Sequence, residues 1–237
     1  PVLSRQFIAG GMEGGDAERA RAYNFTLDWA IRSVLLVAMP AAMALIVLAE
    51  PILYTLFQYG EMKSHDVNMA SYSLKAYSLG LVFFMLIKVL ASAYFARQDT
   101  KTPVKIGIIA MVSNMVLNLM FVIPLHFWWK LGHVGLALAT AVSALLNAGL
   151  LYRGLMKQGF YQPQAGWSRF LCMLALASLV MSAALLLLLD FLPSFVGLHW
   201  WGRVLQSMAL CGCGMLVYVV VLFLFGVRLR HLKPQSL

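Results

Sequence analysis

The sequence predicts an all-α membrane protein, a polytopic bundle of six transmembrane helices with both ends in the cytoplasm. Three observations carry this expectation. Of 237 residues, 62% are hydrophobic and only 11% are charged, whereas a soluble domain has roughly 25% charged residues. Six apolar stretches each approach or exceed the roughly 20 residues a helix needs to cross a bilayer. Lys and Arg are also distributed very unequally between the two sets of connecting loops. A soluble enzyme, a disordered tail and a nucleic-acid-binding arm are disfavoured by the first observation. A closed β-barrel is disfavoured by the second, because the runs are long and do not alternate.

The elements follow in order along the chain. Pro1–Gly10 is a short apolar stretch read as the stump of a preceding helix, and four Gly within Gly10–Gly15 read as a linker. The chain starts Pro-Val-Leu-Ser without Met, which suggests a piece of something longer. The first span is Trp29–Ala49. Pro40 in its middle frees a backbone carbonyl and should kink the helix. Pro51–Gly60 is too short to cross, about 15 Å as helix, and reads as an interfacial or re-entrant extension. The second span, Ala70–Phe95, contains Lys75 and Lys88. The third, Val104–Pro124, has Asn114 and Asn118 four residues apart. In the fourth, Val134–Tyr152, the residues Gly135, Ala139, Ser143 and Asn147 form a narrow stripe that lets another helix approach closely. Lys157–Trp167, with two Gly and a Pro, reads as a boundary. The last two spans, Phe170–Phe191 and Val204–Gly226, are bare of mid-span charge, as expected of helices facing lipid or dry protein. The organisation is therefore residues 1–28 as stump and cytoplasmic linker, 29–156 as a four-span unit, and 157–237 as a final pair with a cytoplasmic tail.

Orientation follows from the loops. Thirteen Lys and Arg (Arg5, Arg19, Arg21, Arg32, Arg97, Lys101, Lys105, Arg153, Lys157, Arg169, Arg228, Arg230 and Lys233) fall on one side, and three (Lys63, Lys130 and Arg203) on the other. The positive-inside rule places the first side in the cytoplasm. The net charge of +9 is thus mainly a topology signal with membrane lipid as partner and no nucleic acid. All six Trp lie at span ends, as in an aromatic belt.

Candidate chemistry is sparse. There is no Walker A, His-Glu-x-x-His or Gly-x-Ser-x-Gly pattern, so no catalytic residue, cofactor or metal site is expected. The five His are separated from one another. Cys172, Cys211 and Cys213 lie inside spans, where Cys behaves as a small apolar residue. Asn24-Phe25-Thr26 fits a glycosylation sequon but falls on the cytoplasmic side. Buried polar groups say more, because an ionisable side chain within a span suggests a polar interior. Lys88 reads as a cation for an anionic substrate or a gating ion pair, or else as a snorkelling side chain. Lys75, nearer the opposite end, reads as snorkelling or as a gating ion pair. Asp28 and Arg32 are four apart and could pair locally. The amides Asn114, Asn118 and Asn147 need partners and point to a helix interface or a cavity.

Several segments carry a resemblance. Leu56-Phe57-Gln58-Tyr59-Gly60-Glu61, Ala76-Tyr77-Ser78-Leu79-Gly80, Leu145–Tyr152, Pro163–Trp167 and, most specifically, Arg97-Gln98-Asp99-Thr100-Lys101-Thr102-Pro103-Val104-Lys105 resemble the MurJ/MviN family. These are flippases for lipid II, the undecaprenyl-pyrophosphate-linked peptidoglycan precursor, within the multidrug/oligosaccharidyl-lipid/polysaccharide exporter superfamily. The resemblance implies a protein of two six-span lobes and a final pair, of which this chain matches the end of the eighth span and spans nine to fourteen. The family's essential arginines of the first, second and eighth spans have no counterpart here. Arg32 and Lys88 match positively charged family positions.

What the resemblance implies is alternating access in the bacterial inner membrane. Two lobes rock around a cationic cavity that takes the pyrophosphate and sugars, while the undecaprenyl tail lies along the last two spans. Lys88, Arg32, Asn114, Asn118 and Asn147 are then the candidate cavity residues, and Asp28 and Lys75 the candidates for gating or ion pairing. The missing N-terminal lobe of the same protein becomes a required partner. Another polysaccharide-lipid flippase and a non-transporting membrane scaffold are the competing readings.

Overall fold

The computed structural model describes residues 16–58, 64–193, 195 and 198–225. Among them are six long helices: α1 (Asp16–Phe57), α2 (Ser64–Ala96), α3 (Lys101–Trp129), α4 (Gly132–Lys157), α5 (Trp167–Phe191) and α6 (Trp200–Leu224). All six are long and apolar enough to cross a membrane, and the chain is a multi-pass membrane protein. The predicted stump and glycine linker at 1–15 and the loop from Tyr59 to Lys63 lie outside the described residues, as do Arg228, Arg230 and Lys233.

The first helix corrects two expectations. Residues 16–28, expected as linker, are helical and lead directly into the first span. Tyr23 and Leu27 are almost fully buried there, so packing extends the helix beyond the hydropathy run. Pro51–Phe57, expected as interfacial or re-entrant, continues α1 without reversal. Pro51 sacrifices one hydrogen bond but does not terminate the helix, because Leu53 and Tyr54 are held in the core. At 42 residues and 1.5 Å per residue, α1 is about 63 Å long, roughly twice the hydrocarbon thickness.

The segment between α2 and α3 shows how a local sequence shapes a turn. Gln98 adopts a left-handed φ of 62°, and the N–H groups of Arg97 and Asp99 both donate to the Tyr94 carbonyl. This closes the end of α2 by satisfying an orphan carbonyl. Asp99 then accepts the Thr102 N–H at its Oδ1, 3.0 Å away, and so caps α3. Pro103 falls in the first turn, where a missing N–H costs nothing.

The packing makes α1 a shared wall. It lies against α2 on one side and against α5 and α6 on the other; α4 packs on both α2 and α3, while α3 touches α2 only marginally. Two clusters form the core. One joins α1, α2, α4 and α5 through Leu27, Ile31, Tyr94, Leu151 and Leu174. The other joins α1, α5 and α6 through Leu48, Met181, Leu185, Leu210 and Tyr218. Apolar burial alone does not drive helix association within lipid, so close backbone approach matters. The small-residue stripe of α4 supplies it: Gly135 faces the Phe121 backbone so closely that a Cβ would stand 2.9 Å from it. Ser143 donates its hydroxyl to the Ala110 carbonyl at 2.7 Å. Gly80 of α2 likewise has no room for a Cβ against Ala141.

This up-and-down order brings the start of α1, the end of α2, the start of α3, the end of α4 and the start of α5 to one end of the bundle. Arg21, Arg97, Lys101, Lys157 and Arg169 all lie there, and it is called the basic end below.

Candidate functional site

The polar candidates separate into three groups. Asp28 and Arg32 form the first. The Asp28 carboxylate is 3% exposed and pairs with Arg32 Nε at 2.7 Å. It also accepts three hydrogen bonds from the α4–α5 connector and its flank: from the Tyr161 hydroxyl at 2.6 Å, the Trp167 indole N–H at 2.7 Å and the Gln164 backbone N–H at 3.4 Å. The Arg32 guanidinium lies 5.1 Å from the Trp167 ring centre and 5.6 Å from that of Phe170, and it donates to the Ala165 carbonyl at 3.4 Å. A buried carboxylate is tolerated only when its lone pairs are filled, and here they are. Burial, and then the bond to Asp28, push the Tyr161 phenol above its ordinary pKa, which keeps it a donor. The geometry makes Asp28 and Arg32 a clasp between α1 and the connector.

Lys75 forms the second group. Its ammonium is 2.7 Å from Glu50 Oε1 and 5.6 Å from the Tyr72 ring centre. The pair joins α1 to α2 toward the end opposite the basic one.

Lys88 and the three asparagines form the third. Lys88 is exposed on α2, about 12 Å from the helix end at 1.5 Å per residue. Asn118 Nδ2 donates to Asn114 Oδ1 at 3.1 Å, so this i,i+4 pair satisfies part of its own hydrogen-bonding need. The Asn118 carbonyl oxygen is buried without a partner among the described residues. Asn147 is half-buried on α4. Asp28 with Arg32 and Asn114 with Asn118 are brought together, and Lys75 finds Glu50. Lys88 and Asn147 join none of these pairs.

A different region is shaped to hold a ligand. Between α1, α5 and α6 lies a groove of about 470 Å³, lined by Leu36, Pro40, Leu185, Gly214, Tyr218 and Leu222 among others. Its walls are almost wholly apolar. The one hydroxyl at its edge is committed, because Tyr218 donates to the Leu36 carbonyl at 2.8 Å. Pro40 has no N–H to give that carbonyl. Gly214 thins α6 opposite Leu185, whose side chain would stand 3.2 Å from any added Cβ. The wall of α6 is fixed to α1 at its far end too: Arg203 donates to the Tyr54 and Gln58 carbonyls at 3.3 and 3.5 Å, and the hydroxyls of Thr55 and Ser207 bond at 2.8 Å. Such a groove suits an aliphatic chain, with shape and dispersion contacts as its means of recognition.

Sequence reasoning did not find Tyr161, Trp167, Tyr218 or Arg203 in these roles. For Tyr218 a signal existed in Pro40, which required some donor for Leu36. For Trp167 the belt position was visible but the Asp28 acceptor was not. Among the described residues no three His, Cys, Asp or Glu side chains cluster as metal ligands would.

Comparison with known proteins identifies a family. Residues 13–204 match the family model described as lipid II flippase MurJ. The chain is 48% identical to the probable lipid II flippase MurJ of Vibrio cholerae serotype O1, with 100% of this chain aligned to 42% of that protein. It is 44% identical to the probable lipid II flippase MurJ of Haemophilus influenzae, over 100% of this chain and 44% of the relative. It is also 44% identical to the lipid II flippase MurJ of Burkholderia cenocepacia, over 77% and 33% respectively. The chain thus spans less than half the length of these curated relatives.

Proposed function

The chain belongs to the lipid II flippase MurJ family, and from that premise we propose that it forms the C-terminal part of a flippase moving lipid II across the bacterial inner membrane. The transported molecule is the undecaprenyl-pyrophosphate-linked peptidoglycan precursor, and the process serves cell-wall synthesis. No bond is made or broken, so the protein acts as a transporter.

The observation that carries this reading is the apolar groove between α1, α5 and α6. Its apolar walls suit a polyprenyl tail, which stays in a lipid-like environment while the headgroup crosses. The basic end faces the cytoplasm under the positive-inside rule, where the substrate would be loaded. α1 to α4 contribute to a lobe that rocks against an N-terminal lobe. Lys88 is the cation proposed to meet the pyrophosphate, since a charge in a poorly hydrated cavity attracts an anion more strongly than it would in water. Asn114, Asn118 and Asn147 are proposed to line the same path. Asp28 and Arg32 hold the connector; Lys75 and Glu50 form an ion pair that joins α1 to α2.

The test is functional. In a bacterium depleted of its own lipid II flippase, this chain supplied together with an N-terminal lobe of the family restores growth, and lipid II becomes accessible to a membrane-impermeant probe added outside, whereas the chain supplied alone does not restore it. Correctly inserted protein with lipid II still confined to the inner leaflet would sink the proposal. Rescue of a different polysaccharide-lipid pathway in its place would move the chain to another branch of the superfamily.

A further inference from the structure

We propose that the basic end of the bundle carries a pocket for a phosphate-type anion, presented by the headgroup of a membrane lipid and separate from the apolar groove. A cavity of about 360 Å³ opens where the first turns of α1, the end of α2 and the α4–α5 connector meet, lined by Arg21, Tyr23, Asn24, Arg97, Phe160 and Gln162 among others. Arg21 and Arg97 both line it. The Arg97 guanidinium carbon lies 3.2 Å from the Phe160 ring centre and 5.6 Å from that of Tyr23. A cation held against two aromatic faces is in position before a ligand arrives, so less side-chain freedom is lost on binding.

Other polar groups of the wall bond across its elements. Tyr23 donates its hydroxyl to the Ala93 carbonyl at 2.8 Å. Asn24 and Gln162 bond reciprocally: the amide of Asn24 donates to the Gln162 carbonyl, and the Gln162 N–H donates to Asn24 Oδ1, both at 3.0 Å. These bonds tie the start of α1 to the end of α2 and to the α4–α5 connector. Gly159, at a left-handed φ of 72° and with open space where a Cβ would point, leaves the mouth clear. The guanidinium fork matches phosphate oxygens in geometry as well as in charge. The cavity lies at the ends of spanning helices, at headgroup depth, which favours a lipid phosphate over a soluble anion.

The experiment uses the whole chain purified in neutral detergent, with native mass spectrometry reading retained dioctanoyl phosphatidylglycerol against dioctanoyl phosphatidylcholine. The expected result is preferential retention of phosphatidylglycerol. That preference should fall roughly fivefold in Arg21→Ala and roughly thirtyfold in Arg21→Ala/Arg97→Gln. A Lys157→Ala/Arg169→Ala control at the same end, outside the cavity, should keep it. If the Arg97 variant does not fold, the exposed Arg21→Ala alone decides. Displacement of the bound lipid by inorganic phosphate would retain phosphate recognition and move its source to solution. Equal retention of both lipids by the unmodified chain, or an equal loss in the control variant, would overturn the proposal.

Discussion

Tyr218 donates its hydroxyl to the Leu36 carbonyl at 2.8 Å, four residues before Pro40 on a helix 182 positions away in sequence. The proline creates an unsatisfied acceptor inside the membrane, and a tyrosine of the last helix supplies the donor. Pro40 of α1 and the docking of α6 are therefore linked. Tyr218→Phe should destabilise the fold by about 1 kcal/mol. In a Pro40→Ala background residue 40 regains its N–H, and the same substitution should cost about half as much or less. Thermal unfolding in detergent of the two single variants and the double variant measures the coupling. Equal costs in both backgrounds would separate the two residues.

The Asp28 clasp predicts a larger effect. Asp28→Ala removes the shared acceptor of Tyr161, Trp167 and Arg32 and leaves a half-buried guanidinium without its partner. The expected loss is on the order of 3 kcal/mol, accompanied by a red shift in the emission of Trp167, isolated by subtracting the spectrum of Trp167→Phe. An unshifted Trp167 contribution would count against the clasp.

The raised pKa of Tyr161 gives the clasp a pH dependence. Burial, followed by the bond to Asp28, raises it. The folded state thus favours the protonated phenol, and its contribution is complete below the ordinary tyrosine value of about 10. That contribution is lost as pH rises toward the folded-state value. The stability difference between the unmodified chain and Tyr161→Phe should therefore shrink as pH rises above about 10, as read from unfolding midpoints across an alkaline series.

Asp99 predicts the opposite slope. Its hydrogen bonds from Thr102 hold the carboxyl below its ordinary pKa. The stabilisation is present above that ordinary value and disappears as pH falls through the depressed one. Asp99→Ala should cost about 1 kcal/mol at neutral pH. Asp99→Asn should retain much of the cap while flattening the acid limb of the stability profile.

Gly154 is a steric prediction. A Cβ there would collide with the Tyr94 hydroxyl, which is fully buried and donates to the Leu151 carbonyl at 3.0 Å. Gly154→Ala should destabilise by about 1–3 kcal/mol, and Tyr94→Phe should recover part of the loss by making room. An additive double variant would show that the collision is relieved elsewhere.

Much of the fold was legible because hydropathy is a local property. The cores of all six spans, from Trp29–Ala49 to Val204–Gly226, fall within the observed helices. The α4 stripe was legible for the same reason: Gly135, Ala139 and Ser143 share one helical face, and that face is buried. The ends were less legible. Residues 16–28 and Pro51–Phe57 are helical where tertiary contacts hold Tyr23, Leu27, Leu53 and Tyr54, and their own composition suggested a linker and an interfacial or re-entrant extension.

The site divides along the same line. The sequence alone determined that this is a helical membrane protein, that its basic residues gather at one end, and that Pro40 needs a donor. Only the tertiary structure decided which donor answered: Tyr218 for the Leu36 carbonyl, Tyr161 and Trp167 for Asp28, Glu50 for Lys75. The need of a buried polar group is written in its own side chain and its immediate neighbours. Its partner comes from a segment up to 182 positions away, and no local pattern specifies which distant segment the packing will bring alongside.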